Sequence, residues 1–127
     1  MANGFEALSG RIIEAAIAVH TEFGPGFLES VYEQALRVAL AHGEIPYESQ
    51  KEVPVFFEGE EVGRHRLDLL VDGEIVVEIK AVKALEDVYF AQVKSYLKAT
   101  RLRVGLLLNF NAPTLVVKRI VLGGGES

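Results

Sequence analysis

The sequence holds 127 residues, half of them apolar (50%) and about a quarter charged (24%). That composition fits one compact domain with a sizeable core and excludes a disordered chain. Cysteine is absent, which removes disulfides, thiolate metal sites and cysteine nucleophiles. No apolar run approaches the roughly 18 residues of a membrane span. Met1-Ala2-Asn3-Gly4-Phe5-Glu6 has no basic stretch ahead of an apolar one, so no secretory leader is expected. A soluble, cytoplasmic domain follows as the expectation. The net charge of −5 is unevenly spread: residues 1–63 carry 3 Lys/Arg against 11 Asp/Glu, and residues 64–127 carry 10 against 7. An acidic total argues against a nonspecific nucleic-acid coat protein, yet it leaves room for a basic rim around a local acidic site in the second half.

From Phe5 to His20, apolar Leu8, Ile12, Ala15, Ala16 and Val19 recur at helical spacing. Phe23-Gly24-Pro25-Gly26 breaks that helix and turns the chain sharply. Leu28 to Ala41 is helical again, and His42-Gly43 predicts its stop, with Gly43 left-handed. Lys51 to Phe57 reads as a strand whose Pro54 favours a sheet edge or a strand start. Glu58-Gly59-Glu60 turns it round. Arg64 to Val71 and Glu74 to Ala81 form two further strands joined at Asp72-Gly73, a hairpin signal. Asp87 to Ala99 returns to helix, and Arg103 to Phe110 and Leu115 to Leu122 close with two strands. The expected fold class is therefore α/β, a mixed sheet with helices packed on it in the order ααβββαββ. One domain spans 1–122, with a frayed tail at 123–127.

The hairpin holds the chemistry. Leu67, Leu69 and Val71 alternate with Arg66, Asp68 and Leu70; Ile75, Val77 and Ile79 alternate with Val76, Glu78 and Lys80. Period-two alternation gives the uniformly apolar sets one buried face and gathers Asp68, Glu78 and Lys80 on the other. This requires an odd-numbered loop. A two-residue Asp72-Gly73 turn would send Asp68 and Glu78 to opposite faces. A three-residue loop, Val71-Asp72-Gly73, pairs Leu70 with Glu74 and unites the carboxylates, with Gly73 at positive φ. Two carboxylates and a lysine on one patch suit metal-assisted phosphodiester hydrolysis. Hard oxygen ligands select Mg²⁺, with the Ile79 carbonyl as a further donor and Lys80 near the attacking water. The competing reading is a plain surface salt bridge between Lys80 and Asp68 or Glu78.

Several blocks in order carry a resemblance over nearly the whole chain. Gly26-Phe27-Leu28-Glu29-Ser30-Val31-Tyr32 is a literal Gly-x-x-Glu-x-x-Tyr. Arg66 to Val71, Val77-Glu78-Ile79-Lys80-Ala81, Ala91 to Leu97 and Gly105 to Phe110 follow it. From about Phe5 to Leu122 the chain resembles the GxxExxY family, placed in the PD-(D/E)XK nuclease-like superfamily. That resemblance implies a restriction-endonuclease-like core of helix, three strands, helix and strand. It implies Asp68 and Glu78 as metal carboxylates for Mg²⁺ or Mn²⁺, Lys80 as the catalytic lysine and Glu29 as a supporting helical acid. It also matches Gln92 and Tyr96 to a Gln-x-x-x-Tyr pattern that positions substrate. No proline immediately precedes Asp68, a departure that the superfamily tolerates.

The same residues have plainer readings. Tyr32 is a core aromatic with its hydroxyl satisfied at the edge. Glu29 sits near a helix N-terminus, where the dipole favours a carboxylate. Gln92 and Tyr96, one turn apart, are substrate contacts or core-edge packing. Lys94, Lys98, Arg101 and Arg103 bind phosphates or form a solvated face. His20 ends the first helix, His42 the second, and alternation sends His65 to the face opposite Asp68. The leading expectation is a small metal-dependent nuclease acting on DNA or RNA. Its rivals are a nucleic-acid-binding module that keeps the fold without cutting, and a homodimer or larger homo-oligomer built through Leu115–Val121 and the first helix.

Overall fold

The computed structural model describes residues 4–122; the tail expected at 123–127 lies outside them. Eight elements follow the predicted order: α1 (Gly4–Phe23), α2 (Glu29–His42), β1 (Tyr47–Phe57), β2 (Glu60–Val71), β3 (Ile75–Lys80), α3 (Asp87–Thr100), β4 (Val104–Asn109) and β5 (Val116–Val121). The strands form one sheet in the order β1-β2-β3-β4-β5, antiparallel except for the β3–β4 pair, whose strands are bridged by α3. Pro54 lies in edge strand β1, where its missing N–H costs no central ladder bond. At the other edge, β5 buries Ile120 and exposes Lys118 and Arg119.

Helices cover both faces. On one, Leu8, Ile12 and Ala16 of α1 and Tyr32, Leu36 and Leu40 of α2 pack on Leu69, Val71, Ile75, Val77, Ile79, Leu106 and Leu108. On the other, Val93, Tyr96 and Leu97 of α3 pack on Leu70, Val76, Leu107 and Ile120. This two-sided burial explains why β3 and β4 read as near-continuous apolar runs.

Three details differ from the sequence expectation. Helix α1 continues one turn past His20, and the Gly24 N–H donates to the His20 carbonyl (2.7 Å). Gly43 is not left-handed (φ −85°); Glu44 takes that conformation (φ 59°) one residue later. The Ile45 N–H reaches the Leu40 carbonyl and the Glu44 N–H that of Ala41, so the helix closes in a Schellman motif with buried Ile45 against Leu40. The third concerns β2. Its alternation breaks at Asp68: Leu69 and Val71 face α1 and α2, whereas Leu67 joins the α3 cluster. Opposite Asp68, Gln50 is left-handed (φ 52°) and drops out of the β1–β2 ladder. The local twist there turns β2 over, so the single apolar face expected for Leu67, Leu69 and Val71 is split.

Strand β4 comes very close to α3 at Gly105, where a Cβ would lie 2.6 Å from Val93 Cγ1. Val93 is β-branched and nearly locked at χ1 inside a helix, so it cannot swing away. Gly105→Ala is therefore expected to destabilise by about 1–3 kcal/mol through overpacking. Thermal melting checks this, with a Tm several degrees below wild type as the expected outcome.

Candidate active site

The β2–β3 ladder is short: Val71 pairs with Ile75, Leu70 with Val76 and Leu69 with Val77, and there it stops. The connecting loop has the three residues expected, but they are Asp72-Gly73-Glu74, one position further along. Asp72 (φ 55°) and Gly73 (φ 66°) are both left-handed, and the Glu74 N–H closes the turn on the Val71 carbonyl. Asp tolerates this conformation better than Val, which moves the turn off Val71. A whole-position shift keeps the parity of the pairing, so the register still leads Asp68 toward Glu78.

Beyond Leu69 the two strands are joined by their carboxylates instead of their backbones. The Ile79 N–H donates to Asp68 Oδ2 (2.9 Å), and the Asp68 N–H donates to Glu78 Oε1 (3.3 Å). Each acid thus satisfies a backbone donor at the point where the β2–β3 ladder has ended. In an extended strand a residue's N–H and C=O point the same way, so the Ile79 carbonyl faces this gap too. Glu78 is buried and Asp68 half-buried. No lysine or arginine among the described residues lies within 4.0 Å of either carboxylate.

Burial and mutual repulsion raise both acids. Burial pushes the Glu78 carboxyl up to about 8, helped by the charge of Asp68. Burial likewise pushes Asp68 up to about 6, with Glu33 and Glu29 adding repulsion, against the opposing Ile79 hydrogen bond and Lys80 charge. Glu29, exposed at the start of α2, accepts a hydrogen bond from the Ala81 N–H (3.3 Å) just past the end of β3. The helix arrives there because buried Tyr32 pins the preceding turn: its hydroxyl donates to the Gly24 carbonyl (2.5 Å) and accepts from the Phe27 N–H (3.1 Å).

Lys80 does not make the salt bridge that was the plainer expectation. Its Nζ sits over the Tyr89 ring of α3, 4.6 Å from the centroid. Tyr96 is buried beside the acids; burial, then the charges of Glu78 and Asp68, push its hydroxyl up to about 12. Gln92 is half-buried one turn earlier, and Lys94 is exposed on the outer side of α3. His65 overturns its expected position. It packs edge-on against Tyr96 (centroids 4.8 Å) on the α3 face, because β2 turns over at Asp68.

Four neighbours escaped sequence reasoning. Glu33 adds a fourth acid to the field, held by the Gln50 side-chain amide (2.8 Å); its i+4 spacing from Glu29 was the available signal. Gln50 and Tyr89 had none. Asn109, buried at the end of β4, clamps Val82 through both its amide atoms (2.9 and 3.0 Å) and so holds the segment after Lys80.

Among the described residues no three His, Asp or Glu side chains form a ready metal cage. The donor set nonetheless fits a hard divalent ion that keeps most of its waters. Two repelling carboxylates each retain an oxygen without a hydrogen bond, and a strand carbonyl stands beside them.

This geometry agrees with the comparisons to known proteins. A family model of the PD-(D/E)XK nuclease superfamily matches residues 6–120. The chain belongs to that superfamily. A solved structure titled "Crystal structure of SSO0001" is similar in fold, with a TM-score of 0.59 and 20% identity over 76% of this chain. The match spans about half (51%) of that longer chain. No curated protein matches. Among the described residues no helix is long and apolar enough to cross a membrane.

The acid pair makes stability fall with rising pH. A carboxyl whose folded pKa is raised holds a proton that the unfolded chain has already released, so stability drops from about pH 4.5 up to the folded pKa near 8. In a chelator, Glu78→Gln should therefore melt several degrees above wild type near pH 8.5 and approach it near pH 5. Parallel melting curves across that range are the check.

Proposed function

We propose that this chain is a divalent-metal-dependent nuclease that hydrolyses phosphodiester bonds of DNA or RNA in the gap between β2 and β3. The observation carrying this reading is the pair of carboxylates, Glu78 buried and Asp68 half-buried, with no salt bridge among the described residues and braced by backbone N–H groups. Asp68, Glu78 and the Ile79 carbonyl would hold the ion, Mg²⁺ or Mn²⁺. When bound, it supplies Lewis-acid polarisation of the phosphoryl group and a lowered pKa for water.

The remaining roles belong to the chain's own groups. Lys80, steered by the Tyr89 ring at the end of β3, orients the attacking water and offsets the charge growing on the phosphoryl oxygens. Glu29, anchored on the Ala81 N–H, supports that water from the α2 side. Tyr96 stays protonated beside two acids and donates a hydrogen bond toward the reacting phosphate. Gln92, on the same helix face, contacts the substrate strand, and exposed Lys94 meets an outlying phosphate.

Cleavage of mixed single- and double-stranded substrates with Mn²⁺ or Mg²⁺ tests the proposal. Asp68→Ala, Glu78→Ala and Lys80→Ala are each expected to lose activity by about 100-fold or more, and a chelator to abolish it. Mn²⁺ should raise the Tm of wild type more near pH 8 than near pH 5, and leave Asp68→Ala unmoved. Equal residual cleavage in wild type and variants would assign the activity to a contaminant and sink the proposal.

A further inference from the structure

Beside the acid gap lies a second concavity that the reaction itself does not need. A groove of about 320 Å³ runs between the end of β1 and the C-terminal half of α3, lined by Pro54, Phe56, His65, Ser95, Lys98 and Arg101. It adjoins the candidate active site through one side-chain contact: His65, which lines the groove, packs on Tyr96, and Tyr96 feels the charges of Glu78 and Asp68.

Two independent features define what this groove would accept. The first is aromatic. Phe56 is 60% exposed and stands at the groove. The β1–β2 register shifts between Val55 and Phe56, a bulge of the kind that re-aims a side chain, and Phe56 lines the groove. The second is cationic. Lys94, Lys98 and Arg101 follow one another at i, i+4 and i+7 along α3, all exposed. None of the three has an ion-pair partner among the described residues, although the chain is net acidic. Arg101 also caps α3 in the left-handed conformation (φ 62°), a place where glycine is the unstrained residue. The guanidinium stands at the groove at the expense of backbone comfort.

A flat apolar ring flanked by free cations suits a ligand with a π-face and phosphates on one connected chain. A duplex offers phosphates but hides its base faces in the stack; an unpaired strand offers both. We infer that this groove seats a single-stranded stretch of the nucleic-acid substrate next to the cutting site, with one base stacked on Phe56 and its phosphates on Lys98 and Arg101. Lys94 extends the same cationic track along α3. The inference rests on the nuclease reading for the identity of the polymer, and it deepens that reading by naming single-stranded nucleic acid, or a junction containing it, as the substrate class.

The test measures binding without cleavage, so the two readings can fail separately. Full-length protein in a chelator is titrated by fluorescence anisotropy against labelled single-stranded DNA of about a dozen nucleotides, the same sequence in RNA, and the matching duplex. One of the single strands should bind tighter than the duplex, and the DNA and RNA arms tell which. Phe56→Ala should weaken single-strand binding by about 5- to 150-fold. Phe57→Ala, which removes an equally exposed ring outside the groove (64%), should leave it unchanged. Replacing Lys98 and Arg101 by alanine should reduce the slope of log affinity against log salt by about 1.4. Melting curves of each variant confirm that it is folded. The inference is overturned if the duplex binds as well as the single strands, if nothing binds, or if Phe56→Ala and Phe57→Ala behave alike. Groove binding with no metal-dependent cleavage would instead retain the groove and remove the nuclease reading; cleavage with no groove effect would do the reverse.

Discussion

Two hydrogen bonds organise this molecule: Asp68 Oδ2 accepts from the Ile79 N–H, and Glu78 Oε1 accepts from the Asp68 N–H. Buried backbone donors must be satisfied, and where two strands part the usual partner disappears. Here the side chains of the parting residues replace it. Divergence of the strands and burial of the charges are therefore one event. If either carboxylate were apolar, a backbone N–H would be orphaned in the gap, and the strands would gain by closing the ladder. The acids hold the gap open, and the gap keeps the acids close together and away from cations.

The rest of the fold holds that gap in place from several directions. Burial on both faces fixes β3, since Val77 and Ile79 pack under α1 and α2 while Val76 lies under α3. The parallel β3–β4 ladder continues to Lys80 and Asn109 after the β2 side has let go, so β3 stays straight and β2 is the strand that bends. Asn109 then clamps Val82, and the Phe110 N–H donates to the Lys80 carbonyl. On the helical side, Tyr32 stacks on Phe110 (centroids 4.7 Å) and ties the turn before α2 to the end of β4. The tyrosine of the Gly-x-x-Glu-x-x-Tyr block thus acts on Glu29 through the backbone: it sets where the helix begins, and so where the carboxylate lands.

Much of this was legible in the sequence because periodicity reports burial. The element order, the edge position of β1 and the role of Tyr32 all follow from apolar spacing, Gly and Pro. The convergence of Asp68 and Glu78 was legible too, since parity depends only on whether the loop is odd. What period-two reasoning could not contain was the reversal at Asp68. It assumes that a strand keeps one face throughout, and left-handed Gln50 with a missing β3 partner breaks that assumption. The misplacement of His65 and Leu67 has this single cause. For Lys80 only the competing reading failed, and for a different reason: charge complementarity suggested a salt bridge with its strand neighbours. Its actual partner, Tyr89, comes from a helix that packs over the strand end, a tertiary contact with no local signature.

The charge distribution acquires a meaning once it is folded. The acidic first half supplies Glu29 and Glu33 to a site whose own carboxyls come from the second half, so four acidic groups share one field. Such a field repels phosphate at close range and attracts a divalent ion, and the ion in turn reverses the local sign. Attraction for a polyanion must then come from further out, where screening by the site's acids leaves α3 free to present Lys94, Lys98 and Arg101. Under the proposed function, opposite signs on adjacent surfaces are a consistent division: the acids would select the cation, and the cations would hold the polymer while its phosphate approaches. A protein of net charge −5 can therefore engage a polyanion, because the sign that matters is set within about a Debye length, ~8–10 Å, of each surface.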